Sequence, residues 1–217
     1  MNAIQTVNLT KQYGNRAVVK RIDLTVGEGE LYGFLGRNGA GKSTLMKILN
    51  GIYSTYKGKI ILKGKEMSYS RPSDAQNSGI CMIHQELDLV GNCTVAANIY
   101  LGRELYQNKS LGILDKKSMN EKVQELLDEL QFDMKADAIV SKLSTAQQPL
   151  LLVAKCVSMN ADIIVMDEPT SSLSDTEVKQ LFKIIRNLRS MGKSIIYISH
   201  YLDEIFEVCD RVTILRD

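Results

Sequence analysis

The feature that most constrains this chain is the run Gly36-Arg-Asn-Gly-Ala-Gly-Lys-Ser43 and what flanks it. Leu31–Leu35 before it is almost wholly apolar, which suits a strand buried on both faces; Ser43–Asn50 after it reads as a helix that stops at Gly51. A buried strand, a glycine-rich turn and a helix opening on Lys-Ser fit the pattern G-x-x-x-x-G-K-[ST]. Glycines let successive backbone N–H groups turn toward an anion, and the helix N-terminus adds partial positive charge. The chemistry implied is capture of a nucleotide's phosphates. Gly36, Arg37, Asn38, Gly39, Ala40, Gly41, Lys42, Ser43 and Thr44 are the candidate contacts. Lys42 is expected on the β- and γ-phosphates, and the Ser43 hydroxyl on Mg²⁺.

Asp162-Ile-Ile-Val-Met-Asp-Glu168 is the natural partner of that loop. An apolar strand ending in two carboxylates delivers them at the C-terminal edge of the sheet, where ligands of open α/β sheets bind. Asp167 is expected to hold Mg²⁺ through water. Glu168 then stands where it can polarise a water for in-line attack on the γ-phosphate.

Around these motifs the pattern is mixed. Ile4–Leu9 and Val18–Val26 alternate as half-buried antiparallel strands do, and Ile60–Leu62 and Ile80–Ile83 are further strand candidates. Within Asp115–Leu130, Val123, Leu126, Leu127 and Leu130 recur at helical spacing, and a second helix is expected from about Ser144 to Ser158. Asp162–Met166, Ser194–Ser199 and Arg211–Leu215 then alternate with helical patterns at Asp175–Arg189 and Leu202–Glu207, which argues for a parallel sheet. The expected fold class is α/β: a P-loop core with an antiparallel β subdomain from the N-terminal third and a helical subdomain over about 88–160.

Charge and composition narrow the function classes. Lysine and arginine number 27 against 25 acidic residues. That balance lacks the concentrated basic surplus of a nucleic-acid binder, so no nucleic-acid partner is expected. No apolar stretch approaches the roughly 20 residues that span a bilayer. The N-terminus has neither a basic nor an apolar leader region, so nothing marks it for secretion. Cys81, Cys93, Cys156 and Cys209 suit neither a zinc knuckle nor a disulfide framework and are expected to be reduced thiols. The class expected is a soluble intracellular domain.

The order of Tyr13, Gly36–Ser43, Gln85, Leu143-Ser-Thr-Ala-Gln147, Asp167-Glu168, Ser171–Asp175 and His200 resembles the nucleotide-binding domain of ABC transporters over essentially the whole chain. That resemblance implies ATP and Mg²⁺ as ligands and ATP hydrolysis as the reaction. Tyr13 would stack on adenine. Gln85 would touch Mg²⁺ and the attacking water near the docking place of a transmembrane partner, and His200 would contact the γ-phosphate. Ser144 and Gln147 would belong to the segment that caps ATP held by an opposite domain. His84 has no such role and reads as structural.

Met82-Ile-His-Gln-Glu-Leu87, Thr94-Val-Ala-Ala-Asn-Ile99, Leu101-Gly-Arg-Glu104 and Glu204-Ile-Phe-Glu-Val-Cys-Asp-Arg211 look like the ATPase subunits of bacterial monosaccharide importers of the ribose, galactose and xylose type. Such subunits carry two domains in tandem, so residues 1–217 read as one domain, the N-terminal half of a longer protein. The implied partners are transmembrane permease subunits, a second such domain in cis or in a dimer, and indirectly an extracytoplasmic sugar-binding protein. The implied place is the cytoplasmic side of the inner membrane, peripherally attached.

Several positions depart from the family pattern. Thr145 and Ala146 replace the glycines of L-S-G-G-Q, putting side chains where backbone approaches phosphate. Ser144 remains as phosphate contact and N-cap. Pro149 falls near the limit of the first turn and is expected to perturb the helix start. Arg37 stands for the usual glutamate, and Ser172 and Ser174 stand for the alanine and aspartate of S-A-L-D. The pattern suits a domain with an intact phosphate loop and a poor signature. Two alternatives remain at this stage: an ABC-type ATPase that serves no transporter, and a module that binds ATP but hydrolyses little of it alone.

Overall fold

The computed structural model describes residues 1–36, 40–85, 88–171 and 173–215. Arg37, Asn38 and Gly39 of the glycine-rich loop, Glu86 and Leu87 after Gln85, and Ser172 lie outside the described residues. In chain order the elements begin with strands β1 (Asn2–Tyr13), β2 (Arg16–Gly27) and β3 (Leu31–Gly36), then helix α1 (Lys42–Leu49). Strands β4 (Lys57–Leu62) and β5 (Lys65–Met67), helix α2 (Pro72–Asn77), strand β6 (Ile80–Ile83) and helix α3 (Val95–Tyr100) follow. Next come the short strands β7 (Tyr106–Asn108) and β8 (Ile113–Leu114), helix α4 (Lys116–Glu129), a 3-10 turn at Val140–Lys142 and helix α5 (Gln147–Ser158). The last elements are β9 (Ile163–Asp167), α6 (Asp175–Ser190), β10 (Ser194–Ser199), α7 (Leu202–Val208) and β11 (Arg211–Leu215).

The chain divides into two compact units. The first comprises Met1–Gln85, Ala161–Ser171 and Phe182–Asp217, and holds two sheets. One is antiparallel in the order β2-β1-β4-β5; the other runs β11-β3-β10-β9-β6 with all its pairings parallel. Every residue of β9 and of β10 is buried. Continuous burial explains why these strands read as unbroken Ile-Val-Met runs rather than alternations: each face of a central parallel strand is covered. Leu45, Met46, Ile48 and Leu49 of α1 are fully buried in one core with Phe34, Ile60, Ile163 and Ile196. The helix that follows the glycine loop is thereby fixed on the sheet.

The second unit, Glu86–Asn160 with Ser172–Leu181, contains α3, α4, α5 and the β7–β8 hairpin. Met119, Val123 and Leu127 line the buried side of α4, the face its periodicity marks. Asp115 caps that helix, accepting the Ser118 N–H at 3.0 Å.

Two expectations need correction. Helix α5 begins at Gln147, so Pro149 is its third residue, buried within the first turn. There its missing N–H has no intrahelical partner to lose, and the helix start is not broken. Cys93 and Cys209 are free thiols, but Cys81 and Cys156 are disulfide-bonded, against the expectation of four reduced thiols.

Candidate functional site

In the first unit, the C-terminal ends of β3, β9 and β10 gather most of the chemistry named above. Gly41 adopts φ +88° and sits at the N-terminal boundary of α1. A Cβ there would lie 2.5 Å from the Val18 carbonyl oxygen, so no other residue fits this backbone path. No side chain caps the helix, and its first turn carries no acidic residue. Its leading N–H groups therefore stay available to an anion and keep the positive end of the dipole uncompensated. Lys42 is only 5% exposed and donates its ammonium hydrogen to the Gly36 carbonyl. These observations fit a phosphate: a cradle that admits only glycine, uncapped amides and a buried cation.

Asp167 closes β9 and is 9% exposed. Burial, and then the charge of Glu168, push its carboxyl above the ordinary aspartate range; the charges of His84 and Lys42 and a hydrogen bond from Ser43 oppose this only in part. A desolvated carboxylate beside a serine hydroxyl suits a hard divalent cation, which favours oxygen ligands and keeps several waters. Among the described residues no group of three or more histidine, cysteine or acidic side chains could hold a metal by itself. A cation here would depend on phosphate oxygens for part of its shell.

An elevated carboxyl pKa carries a stability consequence with a definite sign. The folded chain binds the Asp167 proton more tightly than the unfolded chain does. Stability is therefore lost as pH rises from the ordinary aspartate range through the elevated value, and the full cost is present above it. Asp167→Asn is expected to raise the nucleotide-free melting temperature at pH 7 by roughly 2–4 °C, the effect of about 1 kcal/mol in a chain of this size. The gain should vanish in acid. Melting scans of both proteins across pH check this, and a lower neutral-pH melting point for the variant would contradict it.

Glu168 follows with φ +48°, a left-handed conformation uncommon for a residue with a side chain. Its backbone N–H donates to the Ile198 carbonyl on the neighbouring strand at 3.0 Å. Its carboxylate lies 3.4 Å from His200 Nδ1, with the two side chains 15% and 41% exposed. The pairing of Asp167 with Ile198 across β9 and β10 sets these residues at adjacent strand ends. Tyr201 lays its ring against the His200 imidazole, with centroids 3.9 Å apart.

Tyr13 ends β1 and is 45% exposed. Its hydroxyl shares hydrogen bonds with Thr44 and Tyr53, and the Tyr53 ring meets it edge-on at 5.9 Å. The Lys11 ammonium lies 5.4 Å from the Tyr13 centroid and 5.1 Å from that of Tyr53. Gln85 is exposed two residues after β6, the strand paired with β9. The structure thus brings together Lys42, Ser43, Asp167, Glu168 and His200, with Tyr13 tied to the loop through Thr44. Sequence reasoning missed His84, whose charge acts on Asp167, and the Tyr53–Lys11 backing of Tyr13. Neither carries a local sequence signal.

In the second unit, Ser144 and Gln147 form a reciprocal pair. The Ser144 N–H donates to Gln147 Oε1 at 3.0 Å, and the Gln147 N–H donates to Ser144 Oγ at 3.3 Å. The N-cap of α5 is Ala146, with no side-chain cap bond, so Ser144 is not the expected N-cap and its pair with Gln147 belongs to the turn before the helix. The Gln147 amide group also donates to the Asp133 carbonyl at 2.6 Å. Thr145 donates to Glu177 at 3.4 Å, and Ser174 donates to the same carboxylate from both its N–H and its hydroxyl, each at 2.7 Å.

Comparison with known proteins adds the following. A family model described as ABC transporter matches residues 19–171. The ribose import ATP-binding protein RbsA of Caldanaerobacter subterraneus is 46% identical over 99% of this chain and 43% of its own length. The galactose/methyl galactoside import ATP-binding protein MglA of Treponema denticola is 45% identical over 99% of this chain and 42% of its own. The chain therefore spans less than half the length of the curated relatives it matches. A crystal structure of a nucleotide-free ATP-binding cassette from an ABC transporter superposes with a TM-score of 0.87 at 24% identity, covering 99% of this chain and 88% of that one. That match shows the α/β cassette fold.

Proposed function

The chain belongs to the ABC transporter family, and from that premise we propose that it binds ATP with Mg²⁺ and hydrolyses it to drive import of a monosaccharide through a membrane permease. The observation that carries this reading is the meeting of Lys42, Ser43, Asp167, Glu168 and His200 at one sheet edge. Lys42 and the uncapped start of α1 hold the phosphates, and the Tyr13 face takes the adenine. Ser43, Asp167 and Gln85 would hold Mg²⁺, which would supply positive charge to offset that of the phosphates. Glu168 accepts the proton of the attacking water, and His200 steadies the γ-phosphate.

The relatives' names as import ATP-binding proteins support the transport role, and the ribose and galactose in those names support the substrate class. The same names support permease subunits as partners, an extracytoplasmic sugar-binding protein acting through them, and a place at the cytoplasmic face of the inner membrane. Among the described residues no helix is long and apolar enough to cross a membrane. The relatives' greater length supports residues 1–217 as one cassette of a tandem pair, with the second supplying an opposing signature. Ser144 Oγ accepts the Gln147 N–H in the turn before α5, and a serine oxygen that accepts one bond keeps its own O–H to donate to a phosphate on an opposite domain.

A second reading, ATP binding with little turnover by the chain alone, is favoured by Thr145 and Ala146, whose side chains stand where glycines allow close backbone approach. Calorimetric ATP binding, with steady-state hydrolysis measured across protein concentration, tests both. Binding with turnover supports hydrolysis by this chain itself, and binding without turnover supports the second reading, in which turnover waits for an opposing signature. Absence of binding overturns both. Lys42→Ala is expected to weaken ATP binding roughly 10- to 100-fold, the loss of a charge-assisted hydrogen bond of about 1.5–3 kcal/mol. Unchanged affinity would remove Lys42 from the site.

A further inference from the structure

Outside the groups assigned above, one partly buried polar network touches both arms of the Glu168–His200 pair. Tyr197 lies within β10 at 0% exposure, and its hydroxyl donates to Glu204 Oε2 at 3.0 Å. Ser199, the residue before His200 and 1% exposed, donates to the same oxygen at 2.6 Å. The Ser199 oxygen in turn accepts the N–H of Tyr201, the residue after His200, at 3.0 Å. His200 is thus bracketed on both sides by a turn fastened to one carboxylate. On the other arm, Thr170, two residues after Glu168 and 6% exposed, hydrogen-bonds the Tyr197 phenol oxygen. Burial, with the Glu204 charge next, keeps that phenol protonated, so Tyr197 donates to Glu204 while accepting from Thr170.

The geometry points to Glu204 as a positioning residue for ATP hydrolysis: by holding Ser199 and Tyr197 on one carboxylate oxygen it fixes His200 directly, and fixes the segment after Glu168 through Thr170. This rests on the proposed hydrolytic reading of the site. Glu204 acts through the two side chains it bonds, Tyr197 and Ser199. Its effect is on where His200 and Glu168 stand, and misplacement of catalytic groups by about 1 Å can cost on the order of 100-fold in rate. The restraint has a structural logic as well. His200 is partly exposed at a strand end and Glu168 holds a left-handed φ, so neither keeps its place by packing alone.

The test uses the 217-residue chain with Glu204→Ala and Glu204→Gln. A glutamine oxygen accepts hydrogen bonds from both Tyr197 and Ser199, so it should keep the bracket without the charge. Glu204→Ala is expected to lower kcat for ATP roughly 10- to 100-fold with KM changed less than about twofold, and Glu204→Gln to restore most of it. A second readout is independent of turnover. The chain has two histidines, His84 and His200, so histidine-labelled protein gives two ring signals in NMR spectra. Glu204→Ala should move the His200 signal, which senses the stacked Tyr201 ring, and leave that of His84 in place.

Parallel losses in kcat and ATP affinity, with both histidine signals displaced, would show a merely structural role and overturn the proposal. So would an undisturbed His200 signal. If Glu204→Ala fails to fold, Ser199→Ala, which removes one hydroxyl of the bracket, takes its place with the same readouts. Should the wild-type chain bind ATP without hydrolysing it, the second reading holds for the chain alone and the kinetic readout gives way to the two ring signals, which decide whether Glu204 sets the place of His200.

Discussion

Glu168→Gln is expected to leave ATP binding within about twofold of wild type and to cut hydrolysis roughly 10²- to 10⁴-fold, the range attributed to a well-placed general base. Glutamine keeps the length and planarity of the side chain and can still hydrogen-bond His200 across the 3.4 Å gap. It cannot accept the proton of an attacking water. The left-handed backbone of Glu168 makes the substitution clean, because glutamine meets the same strain at φ +48° that glutamate already tolerates. The N–H bond to the Ile198 carbonyl is also untouched. Affinity and steady-state rate measured on one preparation check this. If affinity falls as far as rate, Glu168 holds the phosphates rather than the water, and its assignment as base fails.

Gly41→Ala should damage the same site by a purely steric route. At φ +88° an alanine carries a backbone penalty of about 1–3 kcal/mol. Its Cβ would also stand 2.5 Å from the Val18 carbonyl oxygen, and that oxygen is backbone in β2, not the movable end of a side chain. Either the loop opens or the strand shifts, and both displace Lys42 and Ser43 from their places. Loss of ATP binding by about 100-fold or more is expected, consistent with what small displacements of positioned groups cost. Gly64→Ala is the matched control, with φ +79° but nothing within 4 Å of the added carbon. It should lower the melting temperature by its backbone strain alone and leave ATP affinity unchanged. Indistinguishable behaviour of the two variants would show that the Val18 contact does not constrain the loop.

How much of this was readable in the sequence depends on how far apart the cooperating residues lie. Gly36–Ser43 and Asp162–Glu168 are contiguous, and each carries its own structural context, so loop, helix and strand edge followed from local chemistry. Continuous burial of β9 and β10 was legible for the same reason, since Ile-Ile-Val-Met and Ser-Ile-Ile-Tyr-Ile-Ser leave no polar alternation. His200 and Tyr13 were different: a lone histidine after a strand or a lone tyrosine at a strand end has many uses. Only the ordered likeness to a family singled them out.

Other features had no readable signal. Helices α2 and α3 span six residues each, too few for a 3.6-residue period to declare itself. The Thr94 and Asp74 caps that stabilise them make sense only once the helices are known. Thr170, Tyr197 and Glu204 come from a loop, a strand and a helix, and meet only through the pairing of β9 with β10. Pro149 reads as disruptive only if the helix opens directly after Ser144. With Ala146 as the N-cap and Gln147 as the first helical residue, the proline falls in tolerated territory.

The bond from Lys42 to the Gly36 carbonyl bears on how this loop chooses its guests. An ammonium carries three N–H donors; the one given to the carbonyl aims the buried side chain, and the positive charge still favours an incoming acceptor that is itself charged. A carbonyl offers a dipole, whereas a terminal phosphate offers a full negative charge, and hydrogen bonds gain strength when the acceptor is ionised. Nucleosides and neutral sugars bring no ionised acceptor to that buried charge. The loop thereby sorts ligands by charge before shape is consulted.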